Sequence, residues 1–155
     1  MIKLDKTDKA ILRLIQEDSR MTIKEIAGHL NLSTTPIFDR LKRLEKQGVI
    51  QKYVALIDPK KLGKKLNAFI HCAIIDHSNR GIDVFVEHIQ KYPEVMECHH
   101  VTGDSDFLLK VVVNDIEAYN KFVTEKLSIV PNINKVKTSF ALSTRKWTTV
   151  YKVDD

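Results

Sequence analysis

Cysteine is scarce in this chain of 155 residues: Cys72 and Cys98 are the two thiols, too few for a disulfide framework and in keeping with reduced thiols in a cytosol. Glycine and proline are few as well, 5 and 4, which excludes collagenous and low-complexity chains, and a 43% hydrophobic content excludes a wholly disordered one. Long apolar runs are missing. Leu66–Ile75 is free of Asp, Glu, Lys and Arg but has about half the length a bilayer requires. Alternating charges rather than an apolar segment follow Met1-Ile2-Lys3-Leu4-Asp5, so no secretory signal is expected and the expected location is the cytoplasm. No nucleophile elbow, metalloprotease helix, Walker loop or GxGxxG turn occurs, and an enzyme is therefore not expected.

What is present is charge, unevenly placed. The net charge is +5, of which residues 1–60 carry +4. A basic surplus at one end of a chain permits binding to a polyanion.

The same region has helical periodicity. Ala10, Ile11, Leu14 and Ile15 share a face between Asp5 and about Asp18, with Asp5 placed to cap and Asp8 in the first turn. Thr22 and Glu25 have the spacing of a capping box, which predicts a short helix over about Ile23–Leu30. Asn31 tolerates the left-handed backbone of a tight turn. Ser33 is placed to cap a third helix with Pro36 in its first turn, Ile37, Leu41 and Leu44 as its buried stripe and Gly48 at its end. Three helices with a three-residue turn make a helix-turn-helix pattern. Gly48–Ile57, rich in β-branched and aromatic residues, predicts an extended strand, and hence a wing.

Residues 58–65, DPKKLGKK, have the composition of a hinge between domain 1–57 and domain 66–155. Beyond it the pattern predicts a strand over Leu66–Ile75, a helix through Ile82, Phe85, Val86 and Ile89, strands over Val95–Thr102 and Phe107–Val113, a helix through Ile116, Tyr119, Val123 and Leu127, and a strand over Ile133–Ser143. This βαββαβ order is the ferredoxin-like plait, so the fold class is α+β. Two helices leave one sheet face uncovered, and homo-oligomerisation is the simplest cover.

Two stretches carry a family resemblance. The runs Asp5-Lys6-Thr7-Asp8-Lys9-Ala10-Ile11-Leu12 and Gln16-Glu17-Asp18-Ser19-Arg20, then Ser33, Pro36, Arg40-Leu41-Lys42-Arg43-Leu44-Glu45, Gly48-Val49-Ile50 and Tyr53-Val54-Ala55, resemble the DNA-binding half of the Lrp/AsnC (leucine-responsive, or feast/famine) transcription regulators. Val101-Thr102-Gly103-Asp104-Ser105-Asp106-Phe107-Leu108-Leu109-Lys110 is similar to the signature turn of that family's C-terminal domain. The resemblance spans roughly Lys3 to Lys152 and departs at Asn31, where the family often has glycine. It implies a sequence-specific regulator that dimerises through its C-terminal sheets, commonly assembles into octamers, and binds amino acids or related metabolites between dimers.

The third helix, about Thr34–Lys46, is then the recognition helix. Ser33, Thr34, Thr35, Phe38 and Asp39 are candidates for base edges, Asp39 alternatively orienting Arg40 or Arg43, while Arg40, Lys42, Arg43 and Lys46 supply phosphate or guanine contacts. The bland alternative is a solvated basic face. One helix reads few base pairs, so a dimer on an imperfect palindrome of double-stranded DNA is expected, in a cytoplasmic, nucleoid-associated protein. For the effector, the turn Thr102, Gly103, Asp104 and Asp106 offers N–H groups for a carboxylate and acidic side chains for an ammonium, though these are also adequate hairpin residues. By analogy with the family, Thr138 and Ser139 complete the pocket from a neighbouring subunit. His71, Cys72, His77, Cys98, His99 and His100 match no metal-ligand spacing, and no metal or other cofactor is expected. The alternative to an amino-acid-responsive regulator is an effector-independent protein that shapes DNA through phosphate contacts.

Overall fold

The computed structural model describes residues 2–154. The chain up to Leu56, together with the stretch from Lys146 onward, forms one compact unit, and Ile57–Arg145 forms the other.

The first unit holds three helices, α1 (Lys6–Glu17), α2 (Ile23–Leu30) and α3 (Thr34–Lys46). Both expected capping devices are built. Asp5 caps α1 in a reciprocal box with Asp8, and Thr22 caps α2 in a box with Glu25. Each box satisfies backbone N–H groups that the helix itself leaves without partners. Asn31 ends α2 in the left-handed conformation, φ 52° and ψ 44°, which a short polar side chain allows at little steric cost. Ser33 occupies the cap position of α3, but its hydroxyl makes no capping hydrogen bond. Gln47 caps the other end, followed by Gly48 at φ 70°. Ile11, Leu12, Ile26, Ala27, Ile37 and Leu44 make the core. Burial of each larger side chain among them contributes about 1.5–3 kcal/mol.

Two expectations fail in this unit. No strand forms over Gly48–Ile57, because β-branched residues make a strand only where a ladder partner exists, and the segment has none among the described residues. The tail beyond Arg145, assigned from sequence to the second domain, packs with the helices instead. Arg13 donates to the Val153 carbonyl at 2.8 and 3.2 Å, Gln16 and Tyr151 exchange two hydrogen bonds, and Val153 packs against the core.

The second unit is a four-stranded antiparallel sheet in the order β2-β3-β1-β4, formed by β1 (Leu66–Ile74), β2 (Val95–His100), β3 (Phe107–Val113) and β4 (Ile133–Phe140), with α4 (Asn79–Ile89) and α5 (Ile116–Glu125). This is the expected plait. Ala68, Ile70, Cys72 and Ile74 of β1 and Phe107, Leu109, Val111 and Val113 of β3 face the helices and bury against Phe85, Ile89 and Phe122. Phe69, His71, Leu108, Lys110 and Val112 alternate with them onto the opposite face. Four elements stop earlier than the sequence pattern suggests, β1 by one residue at Ile74. Strand β2 ends at His100: the Val101 N–H still reaches the Asp106 carbonyl at 2.8 Å, but the Asp106 N–H turns away to the Cys72 carbonyl at 3.0 Å. Helix α5 ends at Glu125, with Leu127 in a separate 3-10 turn, and β4 ends at Phe140.

Candidate nucleic-acid interface and effector turn

Helix α3 sorts its residues by angle. Ile37 and Leu44 are fully buried and Leu41 is half-buried, so at 100° per residue Thr35, Phe38, Asp39, Lys42 and Lys46 share the outer face, and all five are exposed. Ser33 and Thr34 are exposed at its N-terminal end. Phe38, 46% exposed, carries the ammonium of Lys42 over its ring at 5.8 Å. This face is an apolar plate ringed by hydroxyls and cations, with the N-terminal end open as insertion into a major groove requires.

The two arginines stand apart from that face. Arg40 donates to Asp5 at 2.5 Å and to Asp8 at 2.7 Å, and Arg43 donates to Asp8 at 2.5 Å. The carboxylates that orient them are thus the cap residue Asp5 and the first-turn residue Asp8 of α1 rather than Asp39, for which that role is the alternative to a base contact. Arg40 is the more committed of the two: its side chain is 27% exposed, and its two partners raise its pKa above the usual value. The hydrogen bond from Arg40, and then the Asp8 N–H, hold the Asp5 carboxyl below its usual pKa. Arg40, expected at the DNA, is a tie between helices. Arg43 keeps 46% of its side chain exposed at the edge of the outer face.

In the second unit, the connection Val101–Asp106 is built around Gly103 at φ 115°, a conformation that strains any residue with a Cβ. Thr102, Gly103 and Asp104 are exposed. Asp106 is engaged: Oδ2 accepts the Ile74 N–H at 2.8 Å and Oδ1 lies 3.0 Å from His77 Nε2. The Ile74 hydrogen bond first, and then His77, hold its carboxyl below the usual pKa. His71 Nδ1 lies 3.3 Å from the Ser105 hydroxyl, and His100 stacks on Phe107 at 4.8 Å. Two histidines thus brace this turn and a third stacks on the first residue of β3, roles that their scattered positions in sequence do not disclose.

Thr138 and Ser139 point to opposite faces of the sheet. Thr138 pairs with Ile70 on the helix side of β4 and its hydroxyl meets Tyr119 at 2.6 Å, whereas Ser139 pairs with Phe69 on the opposite face. Successive strand residues point to opposite faces, so within one copy the two side chains lie on different sides of β4. Neither lies beside the turn, which sits across β1 at Cys72. Among the described residues no group of three or more His, Cys, Asp or Glu is placed to hold a metal ion. None of the described helices is long and apolar enough to cross a membrane.

Residues 4–51 match the family model of a winged helix-turn-helix DNA-binding domain, and residues 67–151 match the model of the Lrp/AsnC ligand binding domain. The chain belongs to the Lrp/AsnC family. It is a DNA-binding transcription regulator, of a family of regulators rather than enzymes. Among its Lrp/AsnC relatives, the transcriptional regulator AzlB of Bacillus subtilis is 37% identical over 99% of this chain and 98% of its own length. The leucine-responsive regulatory protein of Escherichia coli is 41% identical over 87% of this chain and 82% of its own. The solved structure of the transcriptional regulator NMB0573 of Neisseria meningitidis, a complex with L-Met, superposes with a TM-score of 0.92 at 34% identity, covering 98% of both chains.

Proposed function

We propose that this regulator reads an imperfect palindrome in double-stranded DNA with the outer face of α3, and that an amino acid bound at the Val101–Asp106 turn shifts its DNA affinity by changing its assembly. The observation that carries the first part is the exposed face of Thr35, Phe38, Asp39, Lys42 and Lys46, continued by Ser33 and Thr34, where cations flank an aromatic plate. Arg43 adds a phosphate contact from the flank. A ligand-binding domain and an L-Met complex in a relative support the second part. Asp104, exposed in the turn, takes the ammonium; the Thr102 and Gly103 backbone takes the carboxylate; Asp106 holds the turn in shape. Ser139 approaches from a neighbouring copy.

The protein works in the cytoplasm on nucleoid DNA, as homodimers assembling to tetramers or octamers. The supporting observation is a sheet face bearing Phe69, Leu108 and Val112 that neither α4 nor α5 covers. A ligand changes the assembly only through unequal affinity for two states. The test is a thermal-shift screen against the twenty amino acids, followed by DNA titrations over a range of salt with the amino acid that stabilises. A selective stabiliser that changes DNA affinity supports the reading. No stabiliser at millimolar concentration, with a steep salt slope and equal affinity for all duplexes, favours an effector-independent protein that shapes DNA.

A further inference from the structure

We propose that Asp8 is a positioning residue for DNA binding: from the first turn of α1 it fixes the Arg43 guanidinium at the edge of the outer face of α3, where that group meets a phosphate. The inference rests on the reading that this face of α3 meets DNA.

Asp8 is 1% exposed, the one buried charged residue among the described residues. Its Oδ2 accepts the Asp5 N–H at 3.1 Å, completing the helix cap, and its Oδ1 receives both Arg40 at 2.7 Å and Arg43 at 2.5 Å. The cap explains Oδ2 alone. A cap at this position does not require a carboxylate buried beneath two guanidiniums, and a buried charge of this kind is not, on stability grounds, superior to an apolar contact. The two arginines differ in a way that assigns them different work. Arg40 also bonds Asp5 at 2.5 Å and is the more buried, so it closes the cluster. Arg43 spends one donor on Asp8, its single hydrogen bond among the described residues, and is 46% exposed beside Lys42 and Lys46. A guanidinium has five N–H groups in a fixed plane, so anchoring one of them orients the rest. An arginine held this way meets a phosphate in bidentate fashion without first losing its rotamer freedom.

The sign of one substitution separates this role from a bystander's. Asp8→Asn removes a negative charge from a protein that binds a polyanion, so a carboxylate with no positioning role gives tighter binding when lost. A positioning carboxylate gives weaker binding. The full chain is titrated with a mixed-sequence DNA duplex over a range of salt, because phosphate contacts do not depend on sequence. Asp8→Asn is expected to bind about tenfold more weakly, with the slope of log K against log salt reduced by about 0.9 per DNA-bound copy. Arg43→Ala should match it, and the double variant Asp8→Asn/Arg43→Ala should lose no more than either alone. Asp8→Glu, which keeps the carboxylate, should recover most of the affinity. Thermal unfolding checks that each variant is folded at the assay temperature; if Asp8→Asn is not, Asp8→Asn/Arg40→Gln removes both sides of the buried pair and is titrated in its place.

Equal or tighter binding by the folded variant, an unchanged salt slope, or additive losses in the double variant would overturn the proposal. Lys42→Ala/Lys46→Ala separates the two readings. If that variant binds as tightly as the parent chain, the outer-face reading fails and the positioning role falls with it. If it binds weakly while Asp8→Asn does not, the positioning role alone is wrong.

Discussion

Asp106 accepts the backbone N–H of Ile74 at 2.8 Å, so a side chain from the β2–β3 turn finishes the end of β1, two elements away in sequence. The same carboxylate faces His77. Its pKa is lowered in the folded state from an ordinary value of 3.8, so the stabilisation it provides is fully present above that value. It is lost as pH falls through the lower folded value. Asp106→Asn should therefore reduce stability by about 1–2 kcal/mol near neutrality, the worth of a charged hydrogen bond, with the difference from the parent closing as the solution is acidified past the ordinary value of 3.8. Thermal unfolding from pH 2 to 7 measures this, and a difference that widens towards acid would contradict it.

The Asp106 hydrogen bond marks the boundary of what the sequence discloses. Capping boxes at Asp5/Asp8 and Thr22/Glu25, the left-handed Asn31 and the alternating burial of β1 and β3 all follow from rules spanning four residues or fewer, and all are legible. The partners of Arg40 and Arg43 lie 32 to 35 positions away, those of Asp106 about 30, and no local rule connects them. The absent strand after α3 has the same origin. Residues 49–57 carry strand propensity, but propensity supplies no ladder partner, and the segment is strand-free among the described residues. On α3, the periodicity that finds the outer face also places Arg40 on a flank; only the fold reveals that two carboxylates wait there.

Thr138, an effector candidate by family analogy, meets the Tyr119 hydroxyl at 2.6 Å and so ties β4 to α5. Thr138→Val keeps the shape of the side chain and leaves a partly buried phenol hydroxyl without its partner. The expected cost is about 1 kcal/mol, with the response to amino acids unchanged. Ser139→Ala should have the opposite profile, with stability within about 0.5 kcal/mol of the parent and a weakened response. Denaturant unfolding together with ligand-dependent DNA titration distinguishes the two, and a lost response in Thr138→Val would return that residue to the effector site.

Asn31 takes φ 52° at the turn between α2 and α3, where its N–H reaches the Ala27 and Gly28 carbonyls. Asn31→Gly should leave the helical unit within about 0.5 kcal/mol of the parent, since glycine adopts this conformation freely. Asn31→Ala should cost about 1–2 kcal/mol, the strain of a Cβ in the left-handed region. Because this turn aims α3, the alanine variant should also bind DNA more weakly near its unfolding temperature. An alanine variant as stable as the glycine one would mean that the turn relaxes out of the left-handed region.

Cys72 is fully buried beneath the helices of the second unit, and burial pushes its thiol up to about 12, with the neighbouring Cys98 adding to the shift. Burial raises Cys98 too, but that side chain is only half-enclosed. A thiol reagent attacks the thiolate, so at pH 8 neither residue is intrinsically reactive, and Cys72 is shielded as well. In the native protein one thiol should therefore label slowly, and Cys98→Ser should abolish that phase. The second thiol should label only at the rate at which the sheet opens, a rate that rises with denaturant along with global unfolding. Rapid labelling of two thiols without denaturant would mean that β1 separates from its helices far more often than a core of this kind allows.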